Sequence, residues 1–182
     1  MSTCSSMVIS KPTLESLLYC KDLVVDPLSK DALQPASVDV RLGNELGKYS
    51  TLGTLDFRQP APSIDKFSIP PHGYVLQPGA CTLACTLETV RIPANMCALL
   101  TSRSSLSRMC VMINALTGFI DPGFEGTLDL QLFNAGANPV RLYAGDRVAQ
   151  LVLFQLTTAA EGYKGKYQGK QGVTGYAPDK AT

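Results

Sequence analysis

The chain has 182 residues and a mass of 19.5 kDa, with 45% hydrophobic and 17% charged residues. This composition indicates one globular domain and excludes a disordered chain, and no apolar run approaches the roughly 18–20 residues of a membrane-spanning helix. The net charge of +1 excludes a global electrostatic footprint for DNA or RNA, so a bound anion must be held by a local cluster.

The first thirty residues predict one helix. Ser10 is a candidate N-cap, Pro12 falls in the first turn, and Leu14, Leu17 and Leu18 share one face. Residues 1–10 lack a basic region followed by an apolar run, so we expect no secretory signal and a cytoplasmic protein.

Residues 36–156 predict short β-strands, because segments rich in Val, Leu, Thr and Cys are separated by turn signals every eight to twelve residues. This spacing is typical of an all-β barrel or jelly roll, which we assign to residues 1–160. One short helix, capped by Ser102 and running through Arg108, interrupts it. The predicted strands are 37–43, 74–78, 80–87, 90–92, 98–101, 111–113, 127–133, 140–143 and 147–154.

Residues 161–182 are rich in Gly, Lys, Gln and Tyr and show no apolar periodicity. Two interpretations are open: a disordered tail, or a flexible arm that orders over a ligand.

The chain has six cysteines, which lie in apolar runs and which we interpret as free and buried. Zinc binding is not expected, because Cys81 and Cys85 have no second pair and His72 is the single histidine. The chain also lacks the His-x-Glu and Pro-Cys-x-x-Cys motifs of zinc nucleobase deaminases, so that any deamination of a base must proceed without zinc. The cysteines are Cys4, Cys20, Cys81, Cys85, Cys97 and Cys110.

The segment Ser102–Arg108 contains four hydroxyls and two guanidiniums within seven residues, at a predicted helix start. Such groups suit a phosphate, although a solvated, capped helix start would have the same composition.

Three further segments carry polar side chains that could have a role in a site. Asp121 lies in a predicted hairpin turn, where an aspartate usually satisfies its own backbone. Asp129 and Gln131 alternate with leucines along a predicted strand and share its other face, which is either a pocket wall or a solvent face. Gln150 lies inside an apolar strand and would need a hydrogen-bond partner if buried.

Taken together and in order, these motifs resemble the trimeric dCTP deaminases, whose sister family is the trimeric dUTPases. The similarity extends from residue 8 to residue 175. It is carried by Pro35–Gly43, Ser102–Arg108, Ile120–Gly126, Gly145–Leu151, Gly165–Gly169 and Gly172–Thr174.

The resemblance implies a distorted β-barrel or jelly roll of the dUTPase-like β-clip type, with a short N-terminal and a short internal helix. It also implies a homotrimer with active sites between subunits, and an arm, 161–182, that closes over the nucleotide. The implied ligands are dCTP and dUTP, with dTTP a further candidate as inhibitor. Mg²⁺ would be carried by the triphosphate rather than by protein ligands, and no partner nucleic acid or membrane is expected.

The same resemblance implies roles for individual residues. Arg103, Ser104 and Ser105 match residues at the triphosphate and the reaction centre, and Arg108 matches an arginine near the attacking water. Asp121 matches the residue that contacts the deoxyribose or, in dUTPases, activates water. The other implied substrate-binding residues are Ala115, Thr117, Gln150, Tyr163, Lys166 and Gln171.

Gln131 departs from the family pattern, because the deaminases carry a catalytic glutamate at this position. A glutamine has no carboxylate and cannot move protons, although its amide can still hydrogen-bond a base. Either the residue is an introduced Glu→Gln change, or the chain is a natural member that has lost deamination.

Three functions therefore follow as hypotheses. The first is zinc-free deamination of dCTP to dUTP and ammonia, or onward to dUMP and diphosphate, because Gly118 before Phe119-Ile120-Asp121 resembles the bifunctional members, which do both. The second is a dUTPase with Asp121 as base, and the third is a non-catalytic nucleotide-binding regulator.

Overall fold

The computed structural model describes residues 8–51, 53–113 and 118–178, which form twelve strands and two short helices. Neither of these helices is long and apolar enough to span a membrane. In chain order the elements are α1 Lys11–Tyr19, β1 Val24–Asp26, β2 Leu33–Gln34, β3 Ser37–Tyr49, β4 Ile64–Ser68, β5 Tyr74–Leu76, β6 Cys81–Arg91, β7 Met96–Ser102, α2 Ser104–Ser107, β8 Val111–Ile113, β9 Phe119–Ile120, β10 Glu125–Asn134, β11 Val140–Leu142 and β12 Arg147–Gln155.

Ten strands form one curled sheet in the order β8-β10-β6-β3-β12-β7-β9, with β1 on β6 and with β2 and β4 on β3. The remaining strands, β5 and β11, form a small two-stranded sheet. All pairs are antiparallel, and the prediction of an all-β, distorted-barrel fold is confirmed.

Strand β3 joins the two halves of the curled sheet. Its first half, Val38 to Arg41, pairs with β12, whereas Leu42 to Gly47 pairs with β6 across a shift in register. Such a shift bends a strand and increases its twist. The buried face of both halves then encloses a core of aliphatic side chains, which includes Leu42, Leu46, Leu130, Leu132, Leu151 and Leu153.

Strand β6 runs without a break through Glu88, where the sequence predicted two strands. The Glu88 carboxylate is buried, and it accepts hydrogen bonds from the backbone N–H of Arg41 at 2.8 Å and from Arg41 Nε at 2.6 Å. A buried charge is tolerated when it is paired and hydrogen-bonded in this way, so the acidic residue does not interrupt the strand.

The internal helix is shorter than predicted. It begins after Arg103, which occupies the N-cap position, and ends at Ser107 rather than Arg108. The predicted cap, Ser102, belongs to β7 instead, where its hydroxyl accepts a hydrogen bond from the N–H of Ile113 at 2.8 Å. The N-terminal helix is confirmed, although Ser10 makes no side-chain capping bond.

The described cysteines are free, as predicted, but only Cys85 and Cys97 are buried. The prediction of burial is wrong for Cys20, Cys81 and Cys110, because the first and last lie in turns and Cys81 starts β6 on its outer face. Burial raises the pKa of the Cys85 thiol to about 11, so it stays protonated at neutral pH. Cys4 lies outside the described residues.

Candidate active site

A cavity of about 540 Å³ lies between β10, the β9–β10 turn and the C-terminal segment. Aromatic rings form much of its wall, and polar side chains enter from one strand, one turn and the C-terminal segment. The aromatic residues are Tyr49, Phe119, Phe124, Tyr163, Tyr167 and Tyr176, and the polar ones are Asp121, Asp129, Gln131, Lys170 and Thr174. Aromatic walls with a few polar groups are typical of small-molecule sites.

Strand β10 brings Asp129 and Gln131 to this cavity. The leucines that alternate with them, Leu128, Leu130 and Leu132, are buried in the core, so the two polar side chains point the other way. Of the two interpretations of this strand face, the structure favours the pocket wall, because both polar residues line the cavity.

Asp121 lies at the tight turn between β9 and β10 and also lines the cavity. Gly123 closes this turn with a positive φ of 72°, and a Cβ there would lie 2.8 Å from the Cα of Gly162. Within the described residues, the Asp121 carboxylate accepts no hydrogen bond from its own turn. It is therefore available for a ligand or a water.

The described part of the predicted arm, residues 161–178, forms another wall of the cavity, and the name arm refers to these residues from here on. The N–H of Tyr163 donates to the carbonyl of Pro122 at 2.7 Å, the N–H of Val173 donates to Glu45 Oε1 at 2.7 Å, and the Thr174 hydroxyl donates to Asp129 Oδ2 at 2.8 Å. The arm contains no helix or strand, so these contacts with the sheet take the place of internal backbone pairing.

Lys170 attaches the arm to β10 at the cavity wall. Its Nζ lies 2.8 Å from Asp129 Oδ1, and its side chain is only 9% exposed. Removing one partner from this partly buried ion pair leaves a poorly solvated charge, so the pair ties the arm position to β10. The pair could not be predicted from the sequence, because Asp129 lies on β10 and Lys170 lies in the arm, far apart along the chain.

The pH dependence of the arm can be predicted from Glu45. Partial burial opposes ionisation of this carboxyl, but the Val173 N–H and the Lys66 ammonium together lower its pKa below the ordinary 4.5. The stabilisation is therefore present above pH 4.5 and is lost as the pH falls through the lowered pKa.

At pH 7 we expect Glu45→Gln to speed amide exchange at Val173 several-fold, since an exposed charged contact is worth at most about 1 kcal/mol. The difference from wild type should vanish in acid. Glu15→Gln, at an exposed site on α1, is the matched control. Equal exchange in wild type and Glu45→Gln at pH 7 would contradict this anchoring role.

The other sequence-predicted residues lie elsewhere in the chain. Ser104, Ser105 and Arg108 are exposed on or just after α2, and none of them lines the cavity. Gln150, on β12, is half-buried and accepts a hydrogen bond from the Ser37 hydroxyl at 3.5 Å. A smaller cavity of about 340 Å³ lies beside α2, between β7 and β8.

Two predicted arm residues, Lys166 and Gln171, do not line the cavity that Tyr163 lines. Lys166 is exposed, donates to the carbonyl of Ala177 and lies over the rings of Tyr167 and Tyr176. Gln171 is exposed and accepts a hydrogen bond from the Thr89 hydroxyl. Ala115 and Thr117 lie outside the described residues.

Arg103, which is predicted to bind phosphate, is held by contacts inside the chain. Its Nε lies 3.0 Å from Asp39 Oδ2, and its N–H donates to the carbonyl of Val148. Sequence analysis missed Asp39 and its second partner, Arg147, because pairing across strands is not visible in one strand's pattern. The described residues contain no group of three or more His, Cys, Asp or Glu side chains that could hold a metal ion.

Comparison with known proteins gives three findings. A family model described as dCTP deaminase-like matches residues 8–156. A Persephonella marina protein named "dCTP deaminase, dUMP-forming" is 37% identical over 92% of the chain and 95% of its own length. A protein of the same name from Corynebacterium jeikeium is 35% identical over 96% of the chain and 97% of its own length.

A solved structure supports the fold. The 2′-deoxycytidine 5′-triphosphate deaminase of Agrobacterium tumefaciens superposes with a TM-score of 0.65 at 22% identity, and the match covers 82% of this chain. The chain spans about half of that protein, since 48% of it is covered.

Proposed function

Because the chain belongs to the dCTP deaminase-like family, we propose that it processes pyrimidine deoxynucleoside triphosphates. It deaminates dCTP to dUTP and ammonia without zinc, and it hydrolyses dUTP to dUMP and diphosphate. The observation that carries this proposal is the cavity, where Asp121 and Gln131 meet a wall of aromatic rings that suits a planar base.

The two reactions need different groups. In hydrolysis, Asp121 takes the proton of a water that attacks the α-phosphorus, and diphosphate leaves while Arg103 and Ser105 stabilise the developing charge. In deamination, water attacks C4 of cytosine, and a general base must take the proton of the water and return it to the departing ammonia. Gln131 can hydrogen-bond the cytosine ring but cannot carry this proton, so we expect deamination to be slow.

That limitation favours a second candidate function, a dUTPase that hydrolyses dUTP alone, because Asp121 is present while the carboxylate at position 131 is not.

We propose that Mg²⁺ arrives on the triphosphate, whose oxygens are the hard ligands that this ion prefers. There it would neutralise phosphate charge. We propose that the enzyme is a hydrolase and that it acts in the cytoplasm.

The test is to incubate the protein with dCTP and with dUTP, each with Mg²⁺, and to identify the products. Ammonia and diphosphate from dCTP support the full proposal, and diphosphate from dUTP alone supports the dUTPase. Binding of both nucleotides without products would point to the third hypothesis, a non-catalytic regulator. Absence of both binding and turnover would overturn the proposal.

We propose further that the active sites are shared between subunits of a homotrimer. Ser104, Ser105 and Arg108 are exposed and do not line the cavity of their own chain, so a neighbouring subunit would have to supply them. Exposed apolar side chains are available for such contacts: Leu99 and Phe119 are cross-strand neighbours on β7 and β9, and both are exposed.

Light scattering at micromolar concentration is expected to give three times the chain mass of 19.5 kDa. Phe119→Ser, at a 64% exposed position, should weaken the assembly without unfolding the subunit. Phe57→Ser, at an exposed loop position, is the matched control. A monomeric wild-type protein with full activity would contradict the shared site.

A further inference from the structure

One buried carboxylate holds two arginines side by side at the surface of the sheet. Asp39, on β3, has a side chain that is 1% exposed, and its Oδ2 lies 3.0 Å from Arg103 Nε and 3.4 Å from Arg147 NH1. The guanidiniums are themselves partly open to solvent, at 27% for Arg103 and 35% for Arg147. The cluster thus has a buried, negatively charged inner side and a solvent-exposed, positively charged outer side.

The charges of this cluster do not balance. The pKa of Asp39 is raised above its ordinary value, because desolvation of the buried carboxyl outweighs the lowering by Arg103 and Arg147. With the carboxylate ionised, two guanidiniums share one negative charge, and one positive charge remains for an external anion. The two guanidiniums repel each other, and the attraction of each to the buried Asp39 carboxylate keeps them side by side.

Backbone groups fix both forks further. Arg103 NH1 donates to the carbonyl of Arg147 at 3.3 Å, and Arg147 NH1 donates to the carbonyl of Asp31 at 2.8 Å. A guanidinium already held in one orientation loses little entropy when it binds, and its planar fork matches the oxygens of a phosphate.

The position of the cluster agrees with the proposed substrate. Arg103 directly precedes Ser104 and Ser105, and Gln150 on β12 is the cross-strand neighbour of Asp39. We infer that Arg147 is a second phosphate-binding arginine and that Asp39 positions it beside Arg103 to grip the phosphate chain of the nucleotide. This inference rests on the proposed function, but it concerns the phosphates rather than the reaction.

The test measures binding without turnover. By calorimetry, Arg147→Ala should weaken binding of α,β-imido-dUTP and of inorganic diphosphate about 10- to 150-fold, the range expected for lost charge-assisted hydrogen bonds. Affinity for dUMP, which has the ring but a single phosphate, should fall less. Arg103→Ala is the reference for a phosphate contact, and Arg141→Ala, which removes an exposed guanidinium on β11, controls for net charge.

Two more variants separate positioning from folding. Arg147→Lys keeps the charge and should keep the fold, yet it should lose part of the diphosphate affinity because an ammonium cannot make the fork. Asp39→Asn should weaken diphosphate binding as well. A purely structural role would lower the melting temperature of these variants and leave their diphosphate affinity at the wild-type value.

The inference is overturned if Arg147→Ala binds diphosphate as wild type does while Arg103→Ala does not, or if wild type does not bind diphosphate. Either result leaves the proposed function to the product assay. Conversely, diphosphate binding that depends on Arg147, in a protein that turns over neither dCTP nor dUTP, would keep the inference and overturn the proposed function.

Discussion

Gln131→Glu is expected to raise ammonia release from dCTP about 10²–10⁴-fold, the usual contribution of a positioned acid–base group. The side chain at 131 is exposed into the cavity, on the face of β10 opposite the buried leucines. A carboxylate there could take the proton from the attacking water and return it to ammonia. The substitution keeps the shape of the side chain, so the cavity should persist.

The measurement is the initial rate of ammonia release, with dUTP hydrolysis followed in parallel. Gln77→Glu, in the exposed turn after β5, is the matched control and should change neither rate. Unchanged ammonia release, with dUTP hydrolysis in both forms, would identify a dUTPase on this scaffold. Rapid deamination by the wild-type protein would refute the requirement for a carboxylate at 131.

Asp121→Asn should lower dUTP hydrolysis about 10²–10⁴-fold, because an amide cannot accept the proton of the attacking water. Binding of α,β-imido-dUTP should change far less, since the amide can still hydrogen-bond the sugar. The turn should also persist, because no described turn contact depends on this carboxylate.

The assay follows diphosphate release under saturating dUTP, and Asp65→Asn on β4, an exposed position, is the matched control. If Asp121→Asn hydrolysed dUTP at the wild-type rate, Asp121 would not be the base. A parallel loss of analogue binding would instead assign it to substrate binding.

Much of the fold could be predicted because long strands with one buried face produce a recognisable pattern of apolar residues in the sequence. Strand β10 alternates leucines with polar residues, and β12 is a mostly apolar strand with Gln150 inside it, so both were predicted to within two residues of their ends. The three-residue strands β5, β8 and β11 were predicted, but β1, β2, β4 and β9, of two to five residues each, were not. Each of them pairs with a longer strand, whose backbone N–H and C=O groups are available for the hydrogen bonds.

The candidate site was predictable only in part. Asp121 and Gln131 lie in local motifs, and the structure places both at the cavity. The arm docks through single contacts such as Val173 with Glu45, which lie 128 residues apart and leave no pattern along the chain. The ion pair between Asp39 and Arg147 is equally non-local, since 108 residues separate the partners.

Strand β3 has a consequence for how the molecule opens. Because it pairs with β12 along one half and with β6 along the other, the two halves of the sheet cannot separate without breaking its central ladder. Its amides should therefore exchange with solvent only when the whole domain unfolds, later than those of the edge strand β8 or of the arm. Asp39 and Glu45 both lie on this strand, so the anchors of the arginine pair and of the arm belong to the last part of the protein to lose its structure.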